Sequence, residues 1–149
     1  MSAKAARRRA REFALQGVYQ WLLSNNSATS IEAHFAQVTG FDKADRELFI
    51  ALLRGTINNK EALQASFAPF LSRGVDELSP VEHAILLLST HELAHRPETP
   101  YRVIINEAIE LAKAYGGTDG HRFVNGVLDK LAAQLRATEV SMPRDAKPT

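Results

Sequence analysis

Ser79-Pro-Val-Glu-His-Ala-Ile-Leu-Leu-Leu-Ser-Thr-His-Glu-Leu-Ala-His95 carries its own start and stop signals for a helix. Serine stands at the cap and proline opens the first turn. Glu82 follows at the spacing that lets cap and glutamate satisfy each other's backbone N–H groups. Val81, Ile85 and Leu88 then share one face and leave Glu82 outside. Pro97 and Pro100 set the end near His95, because proline cannot continue the hydrogen-bond ladder.

The same stretch holds the motif most open to a catalytic reading. His91-Glu92-Leu93-Ala94-His95 matches H-E-x-x-H, in which histidines at i and i+4 hold zinc and the glutamate acts as base. Asn106-Glu107 and Glu110 lie downstream as candidates for a third ligand. The surroundings argue for an accidental match. No strand is on offer to bind an extended substrate, and His95 falls on a last helical turn, where the carbonyl ends favour a polar or cationic histidine.

Working towards the C-terminus, Thr99-Pro100 begins another helix carrying Ile104, Ile105, Ala108, Ile109 and Ala112, and Gly116-Gly117 stops it. Asp119 can cap a last helix with Phe123, Val124, Val127, Leu128, Leu131 and Leu135. From Thr138 the chain is polar and contains Pro143 and Pro148, the composition of a disordered tail.

Towards the N-terminus, Leu63, Phe67, Phe70 and Leu71 form an apolar stripe with a bend expected at Pro69, and Leu48, Phe49, Leu52, Leu53, Thr56 and Ile57 form another. Thr29-Ser30-Ile31-Glu32 has the spacing of a second capping box, opening a short helix through Val38; Thr39-Gly40 closes it and Asp42 can cap the next. The first helix runs from about Lys4 to Leu23, with Ala10, Phe13, Ala14, Gly17, Val18 and Trp21 on one face, and ends at Ser24-Asn25-Asn26-Ser27. The expectation is an all-α fold: one compact bundle of six or seven helices over residues 1–137, followed by a polar tail, 138–149.

Composition narrows the function. A chain of 149 residues suits one domain with a real core. It has no cysteine, which excludes disulfides, thiolate zinc sites and cysteine nucleophiles. The longest strongly apolar run, Ala84 to Leu88, is too short to span a membrane. Glu12, Gln16, Tyr19 and Gln20 interrupt what a signal peptide would need, so a cytoplasmic chain is expected. Neither a nucleophile elbow nor a phosphate-binding glycine loop is present.

Charge is concentrated at one end. The whole chain carries +1 and the first eleven residues carry +5, so the remaining 138 sum to −4. At 100° per residue Lys4, Arg7, Arg8 and Arg11 fall within roughly one quadrant of the first helix, which borders the apolar face, with Arg9 pointing elsewhere. Following that stripe by fours from Arg11 leads to Leu15 and Tyr19. Cations ending in an aromatic ring suit single-stranded RNA, with guanidinium groups on phosphates and the ring stacked on a base. On charge alone a solvated basic arm beside a half-buried Tyr19 reads equally well. At the start of the last helix, Asp119, His121, Arg122, Phe123 and Asn125 surround backbone N–H groups that favour phosphate. There Phe123 is open to two readings, a stacking ring or one core stripe with Val127 and Leu131.

Taken together, these residues resemble the NusB family. The similarity runs through Ala6-Arg-Arg-Arg-Ala-Arg-Glu12 and Ala14-Leu15-Gln16 to Tyr19, then through Ser79-Pro-Val-Glu82 and Glu92-Leu93. It is most specific at Pro100-Tyr-Arg-Val-Ile-Ile-Asn-Glu-Ala-Ile-Glu-Leu-Ala-Lys113 and Arg122-Phe-Val-Asn-Gly-Val-Leu-Asp-Lys130. The resemblance implies an all-α, non-enzymatic transcription antitermination factor without metal or cofactor. Such a protein binds boxA-type RNA together with NusE, a small-subunit ribosomal protein. With other Nus factors it supports RNA polymerase read-through in ribosomal RNA operons. By position, Lys4, Arg7, Arg8, Arg9, Arg11 and Tyr19 would carry the RNA contacts, helped by Asp119, Arg122 and Phe123. Glu82 and its helix would face NusE. His91 and Phe70 stand where the family often has tyrosine, and the tail after Thr138 lies outside the match. Two other readings are a NusB-like domain of an RNA cytosine methyltransferase, for which the chain lacks both a second domain and a cysteine, and a protein-only adaptor with a basic docking arm.

Overall fold

The computed structural model describes residues 2–142, and within them eight α-helices and no strand. They are α1 (Ala3–Leu23), α2 (Ala28–Ala36), α3 (Arg46–Asn58), α4 (Lys60–Phe67), α5 (Pro80–His95), α6 (Tyr101–Tyr115), α7 (Gly120–Leu135) and α8 (Ala137–Ser141). The eighth, one more than the upper expectation, is the single turn α8.

α5 is the axis of the fold. Both halves of its capping box form, with Ser79 Oγ accepting from the Glu82 N–H and the Glu82 carboxylate accepting from the Ser79 N–H. Every residue from Ala84 to Leu93 is buried, so α5 has no single core face. Its apolar run is covered from all sides by α1, α3, α4, α6 and α7, which is the environment of a helix hydrophobic all round. Val81, expected among the core residues, is only half-buried at the end of that run.

Direction follows from who meets whom. Arg11 of α1 reaches Glu92 near the end of α5, whereas Tyr19 shares a groove with Val81 near its start, so α1 runs antiparallel to α5. α7 runs parallel to it, with Gly120 beside Glu82 and Arg136 beside Leu93. Where α1, α2 and α3 meet, Phe13, Phe35, Phe41 and Phe49 pack ring against ring at 5.0–5.8 Å between centroids.

Several caps differ from the sequence reading. Ser27, not Thr29, caps α2, its Oγ accepting from the Ser30 N–H at 3.1 Å, so the Thr29–Glu32 box does not form. Asp45, not Asp42, caps α3 by accepting from the Leu48 N–H at 3.1 Å. Asp42 lies instead in a 3-10 turn, Phe41–Lys43, that follows Gly40 at φ 90 and buries Phe41. Pro69 lies in a second such turn, Ala68–Phe70. Thr138 to Ser141, read from sequence as the start of a polar tail, lie in α8, while 143–149 of that tail lie outside the described residues. No helix among the described residues is long and apolar enough to cross a membrane.

Candidate nucleic-acid interface

The N-terminal half of α1 divides its cations into three kinds. Lys4, Arg7 and Arg9 are exposed, and none forms an ion pair among the described residues. Arg8 is half-exposed and pairs with Glu107 of α6 at 3.1 Å. Arg11 is buried, 4% exposed, and lies bidentate on Glu92, with Nε to Oε1 at 2.8 Å and Nη2 to Oε2 at 3.0 Å.

Arg11 therefore leaves the set of phosphate-binding candidates. It borders the apolar face of α1, and a guanidinium there is tolerable only with a charged, hydrogen-bonded partner. Burial opposes its charge, but the hydrogen bonds and field of Glu92, with Glu107 and Asp45 behind them, outweigh that and hold its pKa above the ordinary arginine value.

The same ion pair removes the base from the H-E-x-x-H motif. Glu92 is buried with both oxygens engaged by Arg11. His91 is buried in a notch that Gly55 of α3 leaves open, and a Cβ on Gly55 would strike its ring. Burial, with the neighbouring charges of His95 and Arg96, lowers its pKa to about 4. His95 is exposed, with its ring 5.1 Å from that of His91. This arrangement holds a neutral packing histidine beside a structural glutamate.

Tyr19 is 37% exposed, four turns along α1 from Lys4, about 22 Å at the helical rise. It borders a mainly apolar groove of about 480 Å³ whose walls include Leu15, Gln16, His34, Phe35 and Tyr115. Tyr115, at the end of α6, donates to Glu12 at 3.4 Å. Sequence reading missed Tyr115, because at the last turn of an amphipathic helix nothing in the spacing separates a groove wall from a boundary residue.

The start of α7 lies at this same end of the molecule. Asp119 and Arg122 are exposed, and Asp119 holds the cap position without a side-chain cap hydrogen bond. Phe123 is half-buried against the core, with the guanidinium of Arg73 5.6 Å from its ring centroid. Its inner face serves the core stripe and its outer face meets a cation. Glu82 is half-buried, and one carboxylate oxygen is engaged by Ser79. The other points towards Gly120. Lys4, Arg7 and Arg9 thus stand at one end of α1, while Tyr19, Tyr115, Glu82 and the first turn of α7 gather towards the other.

Residues 8–133 match the model of the NusB family. The chain is 78% identical over 144 residues to the transcription antitermination protein NusB of Aromatoleum aromaticum, covering 97% of this chain and 99% of that one. It is 70% identical over 148 residues to the protein of the same name from Azoarcus sp., covering 99% and 96%. The solved structure of T. maritima NusB superposes with a TM-score of 0.78 at 27% identity, covering 91% of this chain and 97% of that one.

Proposed function

The chain belongs to the NusB family of transcription antitermination proteins, and we propose that it binds boxA-type single-stranded RNA together with NusE. In this reading it works in the cytoplasm with other Nus factors, supports read-through by RNA polymerase in ribosomal RNA operons, and performs no chemistry of its own. The observation that carries the RNA contact is the exposed trio Lys4, Arg7 and Arg9, without an ion pair among the described residues, on the helix that also presents Tyr19. Phosphate contacts supply affinity whatever the base sequence, and the ring supplies discrimination. Asp119, Arg122 and Phe123 extend the proposed RNA surface. Glu82 and the start of α5 are proposed to face NusE.

The test is a salt series by fluorescence anisotropy on boxA-like and scrambled RNA with NusE present. Three phosphate contacts give a slope of log affinity against log salt of about −2.1 for a single strand. Replacing Arg7 and Arg9 by alanine is expected to flatten it to about −0.7 on both RNAs. Tyr19→Ala is expected to cost about 1–3 kcal/mol, more on the cognate sequence. An Arg7/Arg9 variant that binds as tightly as the parent at every salt concentration would overturn the reading and leave a protein-only adaptor.

A further inference from the structure

The RNA reading leaves one half-exposed cation of α1 unused. Arg8 lays its guanidinium across Glu107, with Nε at 3.1 Å from Oε2 and 3.4 Å from Oε1, and Nη2 at 3.3 Å from Oε1. The two side chains differ sharply in exposure, 49% for Arg8 and 9% for Glu107. The carboxylate is thus a nearly buried floor and the guanidinium its half-open lid. Glu107 also lines a small cavity of about 160 Å³ with Glu12, Glu110 and Tyr115, between the basic end of α1 and the tyrosine groove.

We infer that Glu107 is a specificity-determining residue, which holds Arg8 as an internal counter-ion and withholds its charge from nucleic-acid phosphates. The inference rests on the RNA reading above. Its reason is the asymmetry of burial. If Arg8 turned to a phosphate, a carboxylate almost out of water would lose its partner, and stranding a buried charge costs far more than one solvent-screened phosphate contact returns. Arg8 therefore stays where it is, and non-specific attraction rests on three cations. The sequence-independent term is the one Glu107 lowers; contacts to bases are untouched, so their share of total affinity rises.

The experiment is a salt series on scrambled single-stranded RNA with four proteins: the parent, Glu107→Gln, Arg8→Ala and the double variant. Each is checked for folding by a thermal melt. Glutamine keeps the shape of the floor and removes its charge. It is expected to release Arg8, steepening the slope from about −2.1 to about −2.8 and tightening scrambled-RNA binding about five-fold at 0.1 M salt relative to 1 M. Arg8→Ala alone is expected to leave the parental slope unchanged, and the double variant to return to it. A slope flattened by about 0.7 in Arg8→Ala would show Arg8 already on a phosphate and overturn the inference. So would a Glu107→Gln gain that survives in the Arg8→Ala background, since that is bulk charge alone. Were Glu107→Gln to misfold, the Arg8→Ala slope still decides. Loss of the Arg7/Arg9 effect condemns the RNA reading itself; an intact Arg7/Arg9 effect with a silent Glu107→Gln condemns only the role of Glu107.

Discussion

Arg7 and Arg11 stand one helical turn apart on α1 and do opposite work. Arg7 is in solvent; Arg11 is sealed against Glu92. Arg11→Ala strands a buried carboxylate near the end of α5 and is expected to lower stability by about 3–5 kcal/mol. Arg7→Ala removes only exposed charge and is expected to stay within about 0.5 kcal/mol of the parent. Urea denaturation of both variants checks the contrast. An Arg11→Ala protein as stable as the parent would refute the structural assignment. The sequence already placed Arg11 beside the apolar face, since 100° per residue fixes its direction. It could not supply the partner, because Glu92 lies 81 positions away and periodicity reports faces, not pairings. The motif that drew attention to Glu92 as a base hid its simpler use as a counter-ion.

At the scale of elements, the strong local signals were legible and the contested ones were not. Ser79-Pro80-Val81-Glu82 has no rival nearby, and its capping box forms as read. At α2 and α3 two candidate caps stand within three residues of each other, and burial of Ile31 and Phe41 chooses between them. The seam between α3 and α5 holds a second consequence of packing. His91 fills the notch at Gly55, its Nδ1 without a hydrogen-bond partner among the described residues, with His95 and Arg96 as the charged neighbours that oppose its protonation. Unfolded, it takes up a proton near pH 6.5; folded, it does so near about 4. Between those values the unfolded chain binds more protons, so this contribution is complete above pH 6.5 and is lost as pH falls towards 4. The gap corresponds to about 3 kcal/mol. His83, lowered by burial and by Lys60, adds a component of the same sign. His91→Gln is expected to shed the His91 component alone, giving a shallower loss of stability from pH 7 to 4.5. Parallel stability curves for parent and variant across that range would remove His91 as the source.

Across the whole molecule, the candidate site was legible in its parts and not in its assembly. The stripes gave the cations and Tyr19, but only the antiparallel run of α1 and α6 along α5 brings Tyr115 and Val81 to the tyrosine groove. Residues 138–141 were read as tail rather than helix for a related reason. Apolar periodicity fades after Leu135, yet the chain continues into α8 because polar groups, not an apolar stripe, hold it. Arg136 is buried and donates to the carbonyls of Leu93 at 2.8 Å, Glu92 at 3.3 Å, Arg96 at 3.0 Å and Thr99 at 3.1 Å. It also pairs with Glu139 at 2.7 Å, and the other oxygen of Glu139 accepts from the Tyr101 N–H at 2.9 Å. One guanidinium thus satisfies the Leu93 carbonyl that the end of α5 leaves open and the Thr99 carbonyl just before α6, and shares the Glu92 and Arg96 carbonyls with backbone N–H groups, while its carboxylate partner meets an open N–H at the start of α6. Residues 96 and 98–100 between those helices form a wall of the polar groove that Arg7 lines from the other side. The two side chains that make this clasp, Arg136 and Glu139, lie beyond residue 133, where the family match ends. Arg136→Ala leaves the Leu93 and Thr99 carbonyls without a donor among the described residues and is expected to cost on the order of 3 kcal/mol. Hydrogen exchange locates the loss better than a melt. Amides from Arg96 to Ile104 are expected to exchange faster, while those of α3 keep their protection relative to global unfolding. Glu139→Gln, which keeps one acceptor oxygen where Tyr101 and Arg136 each engage their own, is expected to fall between parent and Arg136→Ala. Uniform acceleration across all helices, with no local excess at 96–104, would mean that Arg136 contributes only to global stability and that the clasp does not hold this wall in place.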